Sequence, residues 1–155
     1  MGHKFDPRLL LDLPLMANLA TSEVDGPRNS PVWYMWEDDA LWMLGSNQGS
    51  AVRRLREDPR CAVEIVRYDN EAGILMHLGF RGRATVEPNS PARFRRLLAR
   101  YLGPDEAGWN PWFIENIARI ESAAGRFVRL VPETTFTNNV SYFRTGPDLA
   151  LEADA

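Results

Sequence analysis

The sequence predicts a mainly β fold: an antiparallel barrel, closed or nearly closed, with helices packed outside it. Three patterns carry that reading. Two apolar runs, residues 30–36 and 41–44, flank a tight acidic turn at 37–40 and read as a hairpin. A long stretch, residues 74–86, alternates cleanly and has glycines at 79 and 82, where a barrel strand can bend. Two helices follow late in the chain, each opened by a cap-and-proline pair, Ser90-Pro91 and Asn110-Pro111. An open α+β sheet is the alternative that these patterns leave.

In chain order, residues 1–6 are expected to be a loose end. Residues 7–13 suit a short helix, with Asp6 as N-cap and Pro7 at its first position. Residues 15–24 read as the first strand, and Asp25-Gly26 as a hairpin turn. The next strand, 28–36, would place Val32, Tyr34 and Trp36 on one face and Trp33 and Met35 on the other. Both faces are apolar, so a core is expected on one side and a ligand, helix or second subunit on the other. Asp38-Asp39 reads as a turn former, not as a catalytic carboxylate pair. The small-residue loop Ser46-Asn47-Gln48-Gly49-Ser50 opens a helix over 50–58 that Pro59 ends. Free N–H groups and the helix dipole make that start a good anion site. Arg53, Arg54 and Arg56 give the helix a mostly wet surface.

Residues 61–68 are a further strand and 69–73 a loop. Along 74–86, Ile74, Met76, Leu78, Phe80, Ala84 and Val86 share one face, and His77, Gly79, Arg81, Arg83 and Thr85 share the other. The helix from Ser90 to Leu102 has Phe94, Leu97, Leu98 and Tyr101 as its apolar stripe, leaves Arg93, Arg95, Arg96 and Arg100 wet, and stops at Gly103-Pro104. The second helix runs to about 121 with Phe113, Ile114, Ile117 and Ile120 inward. Trp109 and Trp112 flank its start and read as core packing, an aromatic wall over a bound ring being the functional alternative. A final long strand covers 126–135, with 134–143 as a candidate continuation, and 146–155 is a loose tail. The 155 residues make one domain.

Composition excludes several chemistries. Cys61 is the only cysteine and the two histidines are His3 and His77, so neither a cysteine-based nor a multi-histidine metal site is expected. Lys4 is the only lysine, which removes an interior Schiff base and a phosphate-loop lysine. No Gly-x-Ser-x-Gly elbow supports a Ser46–His77 hydrolase. A net charge of −3 speaks against a nucleic-acid binder. No apolar run approaches the roughly 18 residues of a membrane span, and residues 1–15 do not read as a signal peptide. The expectation is a cytoplasmic protein with no membrane or nucleic-acid partner.

From residue 15 to residue 87 the chain resembles the FMN-binding split-barrel family related to pyridoxamine 5′-phosphate oxidase. The carriers are Leu19-Ala20-Thr21, Asp25-Gly26, Ser30-Pro31-Val32-Trp33, Leu41-Trp42-Met43-Leu44, Val52-Arg53-Arg54-Leu55, Asp58-Pro59-Arg60 and Gly82-Arg83-Ala84, in that order and spacing. The resemblance implies a split barrel that pairs as a homodimer, with a flavin at the subunit interface. It implies backbone contacts from Asn29, Ser30, Pro31 and Val32 to the ring, and a phosphate near Gly45, Ser46, Gly49, Ser50, Arg53 and Arg54. It also implies a polar contact from His77, counted back from Gly82; a half-buried barrel-wall histidine is the plain alternative. Many relatives carry a phosphate lysine where this chain has Ala51, and Arg53 or Arg54 would be its replacement. The likeness is poor in the last third, where pyridoxal-phosphate contacts would lie, so that substrate is not expected.

The resemblance implies an FMN-dependent oxidoreductase that moves hydride between flavin N5 and a small substrate or NAD(P)H, with FAD, deazaflavin or haem as less favoured cofactors. A non-catalytic carrier or sensor of the same fold, and a barrel with no cofactor, are the competing readings.

Overall fold

The computed structural model describes residues 2–120 and 124–143. The expected tail at 146–155 lies outside them. After α1 (Arg8–Leu11), β1 (Ala17–Glu23) and β2 (Gly26–Val32) form one hairpin, and β3 (Tyr34–Glu37) and β4 (Ala40–Ser46) a second. There follow α2 (Ser50–Glu57), β5 (Arg60–Asp69), β6 (Ile74–Pro88), α3 (Pro91–Leu102), α4 (Pro111–Ile120), β7 (Gly125–Leu130) and β8 (Thr134–Asn139). In the second hairpin Asp38 and Asp39 take φ of 53° and 54°, the left-handed pair that a two-residue turn requires and that aspartate tolerates. In the first, Glu23 pairs with Gly26, so the loop is Val24-Asp25, one residue earlier than the sequence reading.

The strands run β2-β1-β5-β6-β7-β4-β3, with β8 added on β6, and every pairing is antiparallel. The two ends of that path, β2 and β3, are joined through Trp33. The sheet therefore closes on itself, and the open-sheet alternative falls. The expected strand 28–36 is in fact two: it pairs with β1 up to Val32 and with β4 from Tyr34. The long strand β6 changes partner in the same way, from β8 to β7 along one edge. At that point a Cβ on Gly82 would sit 3.0 Å from Leu130 Cδ1 and 3.2 Å from the Val131 carbonyl oxygen, so the close approach needs glycine.

Two apolar layers result. Inside the barrel lie Leu19, Tyr34, Leu41, Met43, Val63, Ile65, Met76, Leu78 and Phe80, with Leu10 and Leu11 of α1. Outside, Met35, Trp42 and Phe127 pack on Phe94, Leu97 and Leu98 of α3 and on Trp109. The two apolar faces of residues 32–36 are thus explained: one meets the barrel interior, the other the helices.

Several expectations need correction. Residues 2–6 are not a loose end: the His3 and Asn139 amides donate to each other's carbonyls at 3.0 and 2.7 Å, and Phe5 is buried. The last strand breaks at 131–133, where Pro132 has no N–H to give and the Glu133 amide turns to the Arg81 carbonyl. Ile114 is 47% exposed, not inward. Arg93 and Arg100 are half-buried: Arg93 lies over the Trp42 ring and pairs with Glu37, and Arg100 reaches the carbonyls of Leu11 and Leu13. Long arginine stems cover apolar surface while the head finds an acceptor.

Tyr34 anchors the crossing. Its hydroxyl lies 2.8 Å from the carbonyl oxygens of both Leu10 and Leu13. Burial pushes its pKa up to about 12. The native state holds this proton more tightly than the unfolded chain, so the associated stability is present below pH 10 and is lost as pH rises through 12. Tyr34→Phe should lower stability by about 1–3 kcal/mol in urea unfolding at pH 7. The variant should also lose less stability than wild type between pH 10 and 12. An unchanged midpoint would show that the hydroxyl carries no net stabilisation.

Candidate functional site

At the crossing, the last bond of the β3–β4 ladder runs from the Leu44 amide to the Trp33 carbonyl, at 3.3 Å. Beyond it β2 and β4 part. Among the described residues the edge of β2 turned away from β1 pairs with no strand, and along it alternate residues of the run Asn29, Ser30, Pro31 and Val32 present their backbone groups. On the other side of the split lie Gly45 and Ser46 at the end of β4. A Cβ on Gly45 would meet Val52 Cγ2 at 2.9 Å, so glycine lets α2 seat closely against the strand.

The loop then turns tightly, with the Gly49 amide on the Ser46 carbonyl at 2.8 Å. Gly49 is the N-cap of α2, and no side chain caps it. The first intrahelical bond comes from the Arg53 amide, at 3.0 Å, so the amides of Ser50, Ala51 and Val52 precede it. This is the anion-favouring start that the small-residue loop predicts.

A cavity of about 900 Å3 opens beside the split. Trp33, Leu44, Gly45 and Ser46 form its barrel wall, Phe94 and Leu98 of α3 its floor, and Trp112, Phe113, Asn116 and Arg119 of α4 its outer side. The Trp33 ring stacks on Tyr101 at 4.5 Å and on Phe113 at 5.7 Å, which holds the wall flat and fixed. The size and the mainly apolar lining, with the rings of Trp33, Phe94, Trp112 and Phe113, suit a planar ligand of cofactor size.

Of the residues that the resemblance implies, the structure lines the cavity with Gly45 and Ser46, while Asn29, Ser30, Pro31 and Val32 lie on β2 and Gly49 and Ser50 at the start of α2, outside its lining. It sends the two arginines elsewhere. Arg53 pairs with Glu23 at 2.8 Å and with Glu57, and its hydrogen bond holds the Glu23 carboxyl below the usual range. Arg54 is not on a wet face: it is buried, and its Nε donates to Thr21 Oγ1 at 2.7 Å. His77 stands on the outer face of β6, three strands from β2, or about 14 Å across the sheet. Its Nδ1 is 2.6 Å from Glu64 Oε1, and its ring leans on Phe136. Within one chain His77 does not reach the split.

Sequence reasoning missed Trp33, Phe113, Asn116 and Arg119 as lining residues. Of the tryptophan pair it singled out, Trp109 is core, its indole N–H on the Gly103 carbonyl, while Trp112 is 56% exposed and lines the cavity. The one available signal was that Trp112 sits on the helix side away from the apolar stripe of Phe113 and Ile117.

The two arginines should behave differently in urea unfolding. Arg54→Ala should cost about 2–4 kcal/mol, because it empties a buried site and strands Thr21. Arg53→Ala should cost much less, as the loss of an exposed ion pair does. Equal losses would contradict this division.

Comparison with solved structures finds the same fold. The conserved hypothetical protein Rv2991 from Mycobacterium tuberculosis matches with TM-score 0.71 and 20% identity over 96% of both chains. A protein described as an F420 reductase matches with TM-score 0.65 and 23% identity, over 86% of this chain and 98% of that one. An FAD-binding protein from Mesorhizobium loti matches with TM-score 0.57 and 17% identity, over 84% of this chain and 88% of that one. No curated protein sequence matches. A family model described as pyridoxamine 5′-phosphate oxidase covers residues 8–134, and the chain accordingly belongs to the pyridoxamine 5′-phosphate oxidase-like family of split-barrel proteins.

Proposed function

We propose that this protein is a homodimeric, FMN-dependent oxidoreductase acting on a small molecule. The observation that carries the reading is the apolar cavity at the split, whose wall residues Trp33 and Ser46 lead directly into β2 and into the loop that opens α2. These residues fit a flavin. Trp33, Trp112 and Phe113 offer flat apolar walls for a ring system, and the β2 edge offers backbone donors and acceptors for its polar rim. The amides of Ser50 and Ala51 and the hydroxyls of Ser46 and Ser50 suit the phosphate.

Charge at the phosphate end is assigned to Arg119, which lines the cavity together with Ser46 and whose Nη1 is oriented by Asn116 at 3.2 Å. Arg53 and Arg54, tied to Glu23 and Thr21, instead position α2. A bound flavin would supply reversible two-electron storage for hydride exchange. The chain's own part is to orient the ring against β2, hold its phosphate and exclude water with the α3–α4 layer. Dimerisation is assigned to the outer face of β6 and β8, where the short residue Gly79 stands beside His77 and the 56%-exposed Phe136. In such a pair the partner's His77 would reach the flavin that His77 cannot reach in its own chain.

Titration with FMN, followed by tryptophan fluorescence, tests the site. Saturable quenching is expected. Trp112→Ala or Arg119→Gln should weaken binding about tenfold, the scale of a charge-assisted contact, with Arg53→Gln unchanged. Absence of uptake, or a loss confined to Arg53→Gln, would contradict the placement. Sedimentation should give a dimer. Ala51, where relatives carry lysine, favours a second reading as a flavin carrier without turnover. Reduction of bound FMN by NADPH or NADH and its reoxidation by an organic acceptor support the enzyme; cofactor that binds and never cycles supports the carrier.

A further inference from the structure

Three arginines line a second depression, of about 490 Å3, on the outer face of the barrel and away from the aromatic cavity. Its floor includes Ala20 and Ala62, residues too short to fill it, and the Gly82 backbone, and its walls carry Arg60, Arg81 and Arg83. The sheet register explains why they meet. Arg60 on β5 is directly opposite Arg83 on β6, and Arg81 is the next residue on the same face of β6. Facing strands lie about 4.8 Å apart, and alternate residues about 6.7 Å apart along a strand. The three side chains therefore leave the sheet within the span of one or two phosphoryl groups.

Like charges placed directly opposite each other destabilise an antiparallel pair. Among the described residues the barrel only partly compensates for this one. Arg60 is held by both carboxylate oxygens of Asp58, at 2.7 to 3.2 Å, and those bonds depress the Asp58 pKa to about 2. Arg81 and Arg83 make no side-chain hydrogen bond or ion pair among the described residues. The remaining acid on the rim, Glu133, gives its backbone amide to the Arg81 carbonyl, and its exposed carboxylate pairs with neither arginine. Ser22 adds a hydroxyl at the hairpin end.

We infer that this depression is a binding site for a small oxyanion bearing two or more negative charges, a phosphoryl or diphosphate group, gripped between Arg81 and Arg83 with Arg60 at its edge. Two planar forks that make no hydrogen bond among the described residues, over a floor that includes Ala20 and Ala62, match such a group in charge and geometry; Arg83 also feels the Asp58 carboxylate. A nucleic-acid strand would need a longer basic track than this single concave patch, and the chain's net charge is −3. The inference does not depend on the flavin reading, since no residue is shared between the two cavities.

The test is thermal unfolding of the purified protein with inorganic pyrophosphate at constant ionic strength. Saturable stabilisation of the wild type is expected, as for any ligand bound only by the native state. Arg81→Gln and Arg83→Gln should each weaken the apparent affinity at least about tenfold. Without pyrophosphate, Arg83→Gln should unfold at the same temperature as wild type or higher, because it relieves the pair with Arg60. Three results would overturn the site: no stabilisation, equal stabilisation in both variants, or a dimer that dissociates on Arg81→Gln or Arg83→Gln. The last would show that these charges face a second copy of the chain.

Discussion

The structure depends on one backbone event, the passage of the chain from β2 to β3 at Trp33. A strand that changes neighbours leaves polar backbone groups with no ladder partner, and buried groups of that kind must be satisfied. Here α3 supplies the remedy. The Tyr101 hydroxyl accepts from the Tyr34 amide at 3.0 Å and donates to the Leu15 carbonyl at 2.6 Å. The Tyr34 side chain then reaches back to the Leu10 and Leu13 carbonyls, and Arg100 donates to the Leu13 carbonyl as well and to that of Leu11. Closing the barrel, seating α1 and docking α3 are thus parts of one hydrogen-bonded arrangement.

The site is a consequence of that passage. Where β2 and β4 part, one strand edge is left open and a wedge forms between the barrel wall and the helices. Tyr101 helps to shape it as well, since its ring stacks under Trp33, whose other neighbour is Phe113 of α4. The arginines of α2 serve the opposite side of the helix: Arg54, buried on Thr21, ties α2 to β1 and so fixes where the helix start points.

Much of the fold was legible because side-chain period reports burial. Strand β6 shows this best: all the residues assigned inward are buried except Val86, which is half-buried, and His77, Arg81, Arg83 and Thr85 lie outward. The Ser90 cap, Pro91 and Gly103 likewise marked α3 within a residue. The break at Trp33 was not legible. Both faces of residues 32–36 are apolar before and after it, and a change of backbone neighbour leaves no trace in side-chain pattern. The break at 131–133 had only Pro132 as a signal. Arg54, Arg93 and Arg100 were misplaced for a related reason: burial of an arginine depends on an acceptor contributed by a distant segment, Thr21, Glu37 or Leu13. The backbone around the split came from family resemblance, and the aromatic lining from tertiary packing alone.

The most direct test of the account is the visible absorption spectrum of the purified protein, together with the mass of any small molecule released on heating. The account predicts two flavin bands and a released mass equal to FMN. A colourless protein that also fails to take up added FMN would contradict it, and would leave the barrel and its cavity without the proposed chemistry.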